Sequence, residues 1–201
     1  MPDSRRLARS AAVGLACATR AAFGAAVGAA SGAAPARAQA VPEARVIEYG
    51  EYVARRDLGV LPPDPGAGRT APLVIVDQPR FVERTDRIEA RPCRGFGIRF
   101  RLVPPDPAGT TRVTVRVTHP PMVPPGGEMR ETGTYPQQVG REPGFAGYSF
   151  DEPWEMVPGT WTFAVLFGDK VLAEQRFEVV LPPGMNGPPP GRWGKCDALV
   201  S

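Results

Sequence analysis

Phe96, Ile98, Phe100 and Leu102 alternate with Gly97, Arg99 and Arg101 in the stretch GFGIRFRLV, a period of two that gives an extended strand one apolar and one charged face. After PPDPAG the pattern returns in TTRVTVRVTH, where Val113, Val115 and Val117 alternate with Thr114, Arg116 and Thr118, and the two segments are predicted to pair as an antiparallel hairpin. A second hairpin is predicted in GTWTFAVLFGDKVLAEQRFEVV. Trp161, Phe163, Val165 and Phe167 share one face, Gly168-Asp169 makes the bend, and Phe177 and Val179 return inward while Glu174, Arg176 and Glu178 mark the wet side. Weaker strand signals are RVIEYGEYVA with Gly50 as a bulge, PLVIVDQ, RFVERT, the stretch from Met129 to Tyr135, and FAGYSF. Helical periodicity is scarce after Val41, and 23 of the 161 residues from there on are proline, which breaks helices and central strands alike. Seven to nine strands at this spacing predict an all-β, two-layer antiparallel sandwich.

The first forty residues break the pattern. They are rich in alanine, carry Arg5, Arg6 and Arg9 at the start, and end in Ala38-Gln39-Ala40, small residues of the kind a signal peptidase accepts. Residues 1–40 are therefore expected to be a signal peptide, 41–181 the β-sandwich domain and 182–201 a Pro/Gly-rich tail, in a periplasmic or secreted protein. Export by the general or by the twin-arginine route stays open, and lipidation at Cys17 is disfavoured because Gly14 stands where leucine is wanted. No later run reaches the roughly 20 apolar residues of a membrane-spanning helix.

Without the leader the charge changes sign. Five of 24 basic and one of 21 acidic residues leave with it, so 19 basic face 20 acidic groups and a nucleic-acid partner is not expected. Two cysteines remain, Cys93 and Cys196, and an even pair in an oxidising compartment predicts one disulfide, with two unpaired thiols as the alternative. No metal site or other cofactor is expected, since there is no C-x-x-C pair and His119 is the single histidine.

Candidate chemistry is thin. Ser149 in GYSFD matches a nucleophile elbow in its first three positions only, and His119 closes a strand before Pro120. Asp151, Glu152 and Glu155 form an acidic cluster that would serve an accessory or hydrolytic enzyme as acid and base, or else make a solvated turn. Arg99, Arg101, Arg112 and Arg116 are predicted on one outer face of the first hairpin, as a seat for anionic polymers or as partners of neighbouring glutamates. Tyr148 and Trp154 are the aromatic residues expected to be exposed, as a stacking platform for a sugar ring or peptide. The favoured reading is a non-catalytic module that binds a protein or envelope component through edge strands and long loops.

The run F-D-x-P-W-E-x-V-P-G-x-W from Phe150 to Trp161, with L-A-E-Q-x-F from Leu172 to Phe177, RVIEYGEY and FVERTDRIEARPCRGFGIRFRL, resembles a bacterial domain-of-unknown-function family, number 3859, over about Arg45 to Val180. The resemblance implies a secreted or periplasmic, immunoglobulin-like domain and transfers no catalytic or binding residue. Within that run Pro158-Gly159 fits a tight turn feeding the last hairpin.

Overall fold

The computed structural model of the chain describes residues 41–55, 59–103 and 109–187, all within one compact unit, Gln39–Ser201. The alternating segments become strands. Among the described residues these are β1 (Glu43–Arg55), β2 (Val60–Leu61), β3 (Leu73–Val74), β4 (Asp77–Glu83), β5 (Arg87–Glu89), β6 (Gly95–Val103), β7 (Thr111–Met122), β8 (Arg130–Val139), β9 (Gly144–Ser149), β10 (Gly159–Phe167) and β11 (Lys170–Val180). One sheet runs β4-β1-β6-β9, a second runs β5-β11-β10-β7-β8, and β2 and β3 form a separate ribbon. The predicted all-β, two-layer sandwich is the architecture found. It departs from a purely antiparallel scheme in one place, the parallel pairing of β5 with β11.

Both inner faces feed one core. Phe96 of β6 is fully buried, and its ring lies 5.3 to 5.6 Å from those of Phe150, Trp161, Phe163 and Phe177. Burying each such side chain is worth about 1.5–3 kcal/mol. Trp161 also places its indole N–H 3.1 Å from the Val157 carbonyl, which satisfies its one polar atom inside the core. The β10-β11 hairpin forms as expected, with Gly168 at a φ of 57° in its bend, and Gly159 follows Pro158 at a φ of 125°.

The first hairpin does not form. β6 pairs with β1 and β9, whereas β7 pairs with β10 and β8. The chain between β6 and β7 crosses from one sheet to the other. The inner face of β6 is apolar and that of β7 is apolar apart from buried His119, and the two faces meet across the sandwich, an arrangement that alternation alone satisfies as well as side-by-side pairing.

Candidate functional site

β8 and β9 follow one another in the chain, yet each is the edge of a different sheet on the same side of the sandwich. Around that seam lies a cavity of about 540 Å³ with mainly apolar walls. Val117, His119 and Met122 of β7, Gly133, Tyr135 and Gln137 of β8, and Phe145, Gly147 and Tyr148 of β9 contribute to it, with Trp154 and Glu155 from the following turn. Tyr52 of β1 reaches the same cavity across the sheet. A Cβ on either Gly95 or Gly147 would come within 2.7 to 2.8 Å of Tyr52 atoms, so these glycines provide the space for its ring.

A strap formed by the chain before β4 makes one wall of the cavity. Ala71, Pro72 and the segment Leu73 to Val76 line it. The strap is tied to β8 by Thr70, whose N–H donates to the Thr134 carbonyl at 3.0 Å and whose hydroxyl accepts the Thr134 N–H at 2.9 Å. At the far end Arg99 donates to the Pro79 carbonyl at 2.5 Å, pairs with Glu48, and lies 5.5 Å from the Phe81 ring centre. Of the weak strand signal PLVIVDQ only Leu73–Val74 and the start of β4 at Asp77 are extended in sheets, and Leu73, Val74 and Ile75 are half-buried because they are apolar and the seam gives them a surface to cover.

Five polar side chains set the chemistry of the cavity. The Gln137 amide nitrogen donates to the Phe145 carbonyl at 3.1 Å, which fixes the orientation of the amide. Its Oε1 is sealed from solvent and has no hydrogen-bond donor among the described residues. Glu155 accepts the Tyr148 hydroxyl at 2.9 Å and the backbone N–H groups of Asp151 and Glu152 at 2.6 and 2.8 Å. Burial raises the Glu155 carboxyl to about 7, with Asp151 adding to the rise and the three donors opposing it. Burial also holds the Tyr148 and Tyr135 phenols above their ordinary range, so both are neutral. His119 stacks 4.8 Å from Trp161, has Nδ1 2.8 Å from the Pro120 carbonyl, and is held by burial below the usual imidazole range.

Glu155 makes stability depend on pH. Its folded-state value lies above the unfolded 4.5, so the native state binds the extra proton between those limits. The contribution is fully present below pH 4.5 and is lost as pH rises through about 7, at most about 3 kcal/mol. His119, shifted downward, acts in the opposite sense and costs stability as pH falls. Urea unfolding of Glu155→Gln is expected to lose the decline between pH 5 and 7.5 that the parent shows. An unchanged slope would remove Glu155 as its source.

Several predicted site residues change place or role. Tyr148 and Trp154, expected on the surface, are half-buried in the cavity wall and pack on the core, because the turn after β9 folds back over the seam. The arginines do not share a face: Arg99 and Arg101 lie outside the first sheet, and Arg112 and Arg116 outside the second, a direct consequence of β6 and β7 belonging to different sheets. Ser149 donates to Asp151 at 3.1 Å. Cys93 sits in the turn before β6 at a φ of 62°, its N–H bonded to the Phe150 carbonyl at 2.8 Å. Cys196 lies outside the described residues, and the predicted disulfide with it. Among the described residues no three His, Cys, Asp or Glu side chains are placed so that they could hold a metal ion together, and no helix is long and apolar enough to cross a membrane.

Fold and site together define a two-sheet β-sandwich with an apolar cavity strapped into its lateral seam. The chain belongs to DUF3859, a domain of unknown function, whose family profile matches residues 41–179. A solved immunoglobulin-like protein from Pseudomonas aeruginosa is similar to it at 24% identity over 69% of this chain and 97% of that one, with a TM-score of 0.49. No curated protein matches the chain.

Proposed function

We propose that this is an exported, non-catalytic binding module that takes a small ligand, a component of the cell envelope, into the seam cavity. The observation that carries this reading is the cavity itself, about 540 Å³ and mainly apolar, a size and lining characteristic of small-molecule sites. A raised carboxyl in a cavity also suits a general acid, the enzyme alternative for the Asp151–Glu155 cluster. Here the carboxylate is committed to structure: Glu155 holds the turn through two backbone N–H groups and Tyr148. Ser149 directs its hydroxyl to Asp151 rather than to a histidine base. Edge-strand addition has less support on this side of the sandwich, because Thr70 covers β8 at Thr134 and Gln137 occupies the Phe145 carbonyl of β9.

Export rests on the basic start, the alanine-rich stretch and the Ala38-Gln39-Ala40 site. The Cys93–Cys196 disulfide belongs to the same reading, and closing so long a loop would contribute about 3–5 kcal/mol in the chain-entropy model. Two measurements test the proposal. Amino-terminal sequencing of the periplasmic protein is expected to start at Val41, whereas intact Met1 on a cytosolic protein contradicts export. Titration with the neutral fluorophore N-phenyl-1-naphthylamine is expected to saturate at one site with a dissociation constant of about 1–10 µM. Gly133→Leu should abolish that binding, since a Cβ at Gly133 meets Ala71 at an ordinary 3.5 Å and the added side chain fills the cavity without straining the backbone. Absence of binding to the parent protein, or turnover of ester or glycoside substrates that Glu155→Gln abolishes, would reject a non-catalytic binder.

A further inference from the structure

We propose that the ligand of this cavity is an uncharged, mainly apolar molecule with one hydrogen-bond donor, a hydroxyl or N–H, recognised by the carbonyl oxygen of Gln137. This rests on the reading of the cavity as a ligand site and specifies what that site selects.

The walls argue for an apolar body. Phe145, Val117, Met122 and the strap residues Leu73 to Val76 offer no strong hydrogen-bonding side chains. The polar side chains nearby are mostly occupied. Glu155 already accepts three donors, Asp151 accepts Ser149, and the Tyr148 hydroxyl donates to Glu155. Gln137 is different in kind, because its nitrogen is held on Phe145 while its oxygen is sealed from solvent and has no donor among the described residues. A buried acceptor without a donor is costly, and a donor brought by a ligand relieves that cost. The oxygen is sealed at present, so its use requires the groups that cover it to move aside as the ligand enters.

The same geometry selects against charge. A ligand carboxylate would meet Asp151 and Glu155 in a desolvated space, and the one basic side chain on the wall, Arg130, is exposed at the rim, where solvent and salt screen it. A ligand ammonium would find both carboxylates already engaged by Ser149, Tyr148 and backbone N–H groups. Burying either charge without a dedicated partner is unfavourable.

The test is displacement of bound N-phenyl-1-naphthylamine from the full protein by four molecules of matched length: 1-decanol, decyl methyl ether, decanoate and decylammonium, each below its micelle concentration. Decanol is expected to displace the probe at a concentration about tenfold below that of the ether, the value of one satisfied buried acceptor. Both ions should be weaker than the alcohol. In Gln137→Leu the probe, which carries an N–H of its own, should bind about tenfold more weakly, and the alcohol and the ether should then displace it at equal concentrations. Equal alcohol and ether in the parent protein, or either ion binding more tightly than the alcohol, would overturn the assignment while leaving the cavity as a ligand site. Failure of the probe itself to bind the parent protein would remove both.

Discussion

Replacing Trp161 by alanine is expected to lower the unfolding free energy by about 3–5 kcal/mol, measured as a fall in the urea midpoint at unchanged slope. The side chain is fully buried and makes ring contacts with Phe96, His119, Tyr148 and Phe150 at 4.8 to 5.9 Å, so its removal opens a void between strands of both sheets. It also leaves the Val157 carbonyl without its indole donor. In a domain of this size a loss of that order corresponds to a drop in melting temperature of about 10 °C or more. His119 and Tyr148, both in the cavity wall, would lose a packing partner at the same time. Probe binding should therefore weaken in this variant even at temperatures where it remains folded. A loss below about 1 kcal/mol would mean that Trp161 is not the inter-sheet anchor described.

Gly50→Ala is expected to be comparably damaging for a different reason. Gly50 has a φ of 127°, and a Cβ there would lie 2.0 Å from the Glu83 carbonyl oxygen and 2.9 Å from the Thr85 nitrogen. Both obstacles are backbone atoms, so no rotamer change relieves them. The register of β1 against β4 shifts between Glu51 and Tyr52, immediately after this glycine. An alanine must separate those strands or abandon the bulge, and a loss above about 3 kcal/mol is expected. Gly68→Ala provides the control. Its φ of 81° is also left-handed, but a Cβ would meet nothing within 4 Å, so only the conformational penalty of about 1–2 kcal/mol remains. Equal losses at the two positions would show that the approach to Glu83 is not the cause.

Alternation along the chain made strand faces legible and strand neighbours much less so. Phe96, Val115 and Trp161 point inward as the period of two requires, and all three are fully buried. Turn chemistry located the last hairpin because Gly168-Asp169 leaves almost no freedom in how β10 and β11 meet. The segment between β6 and β7 imposes no such constraint, and there the nearest pairing was the wrong one. That single topological difference separated Arg99 and Arg101 from Arg112 and Arg116, dispersing the basic face. β5, three residues long and parallel to its neighbour, is too short for a periodic signal.

The cavity was only partly legible. Tyr148 and Trp154 stood out as aromatic residues near an acidic cluster, and both line it. The spacing of Glu152, Pro153 and Glu155 has a carboxylate three residues along from the start of a turn, which is how Glu155 comes to bind the Glu152 N–H. Nothing in PQQVG distinguishes Gln137 from Gln138, since their difference lies in which face of β8 each occupies and in the proximity of the Phe145 carbonyl. The strap is equally hidden: Leu73 to Val76 form an ordinary apolar run until the seam they cover is known.

The central claim, that the seam between β8 and β9 is a ligand site walled on one side by the strap, is tested most directly by amide chemical-shift mapping of the isotope-labelled protein during titration with N-phenyl-1-naphthylamine. Saturable shifts concentrated at Leu73, Val74, Ile75, Gly133, Gln137 and Gly147 are expected. Shifts confined to other surfaces, or no saturable shifts at all, would contradict it.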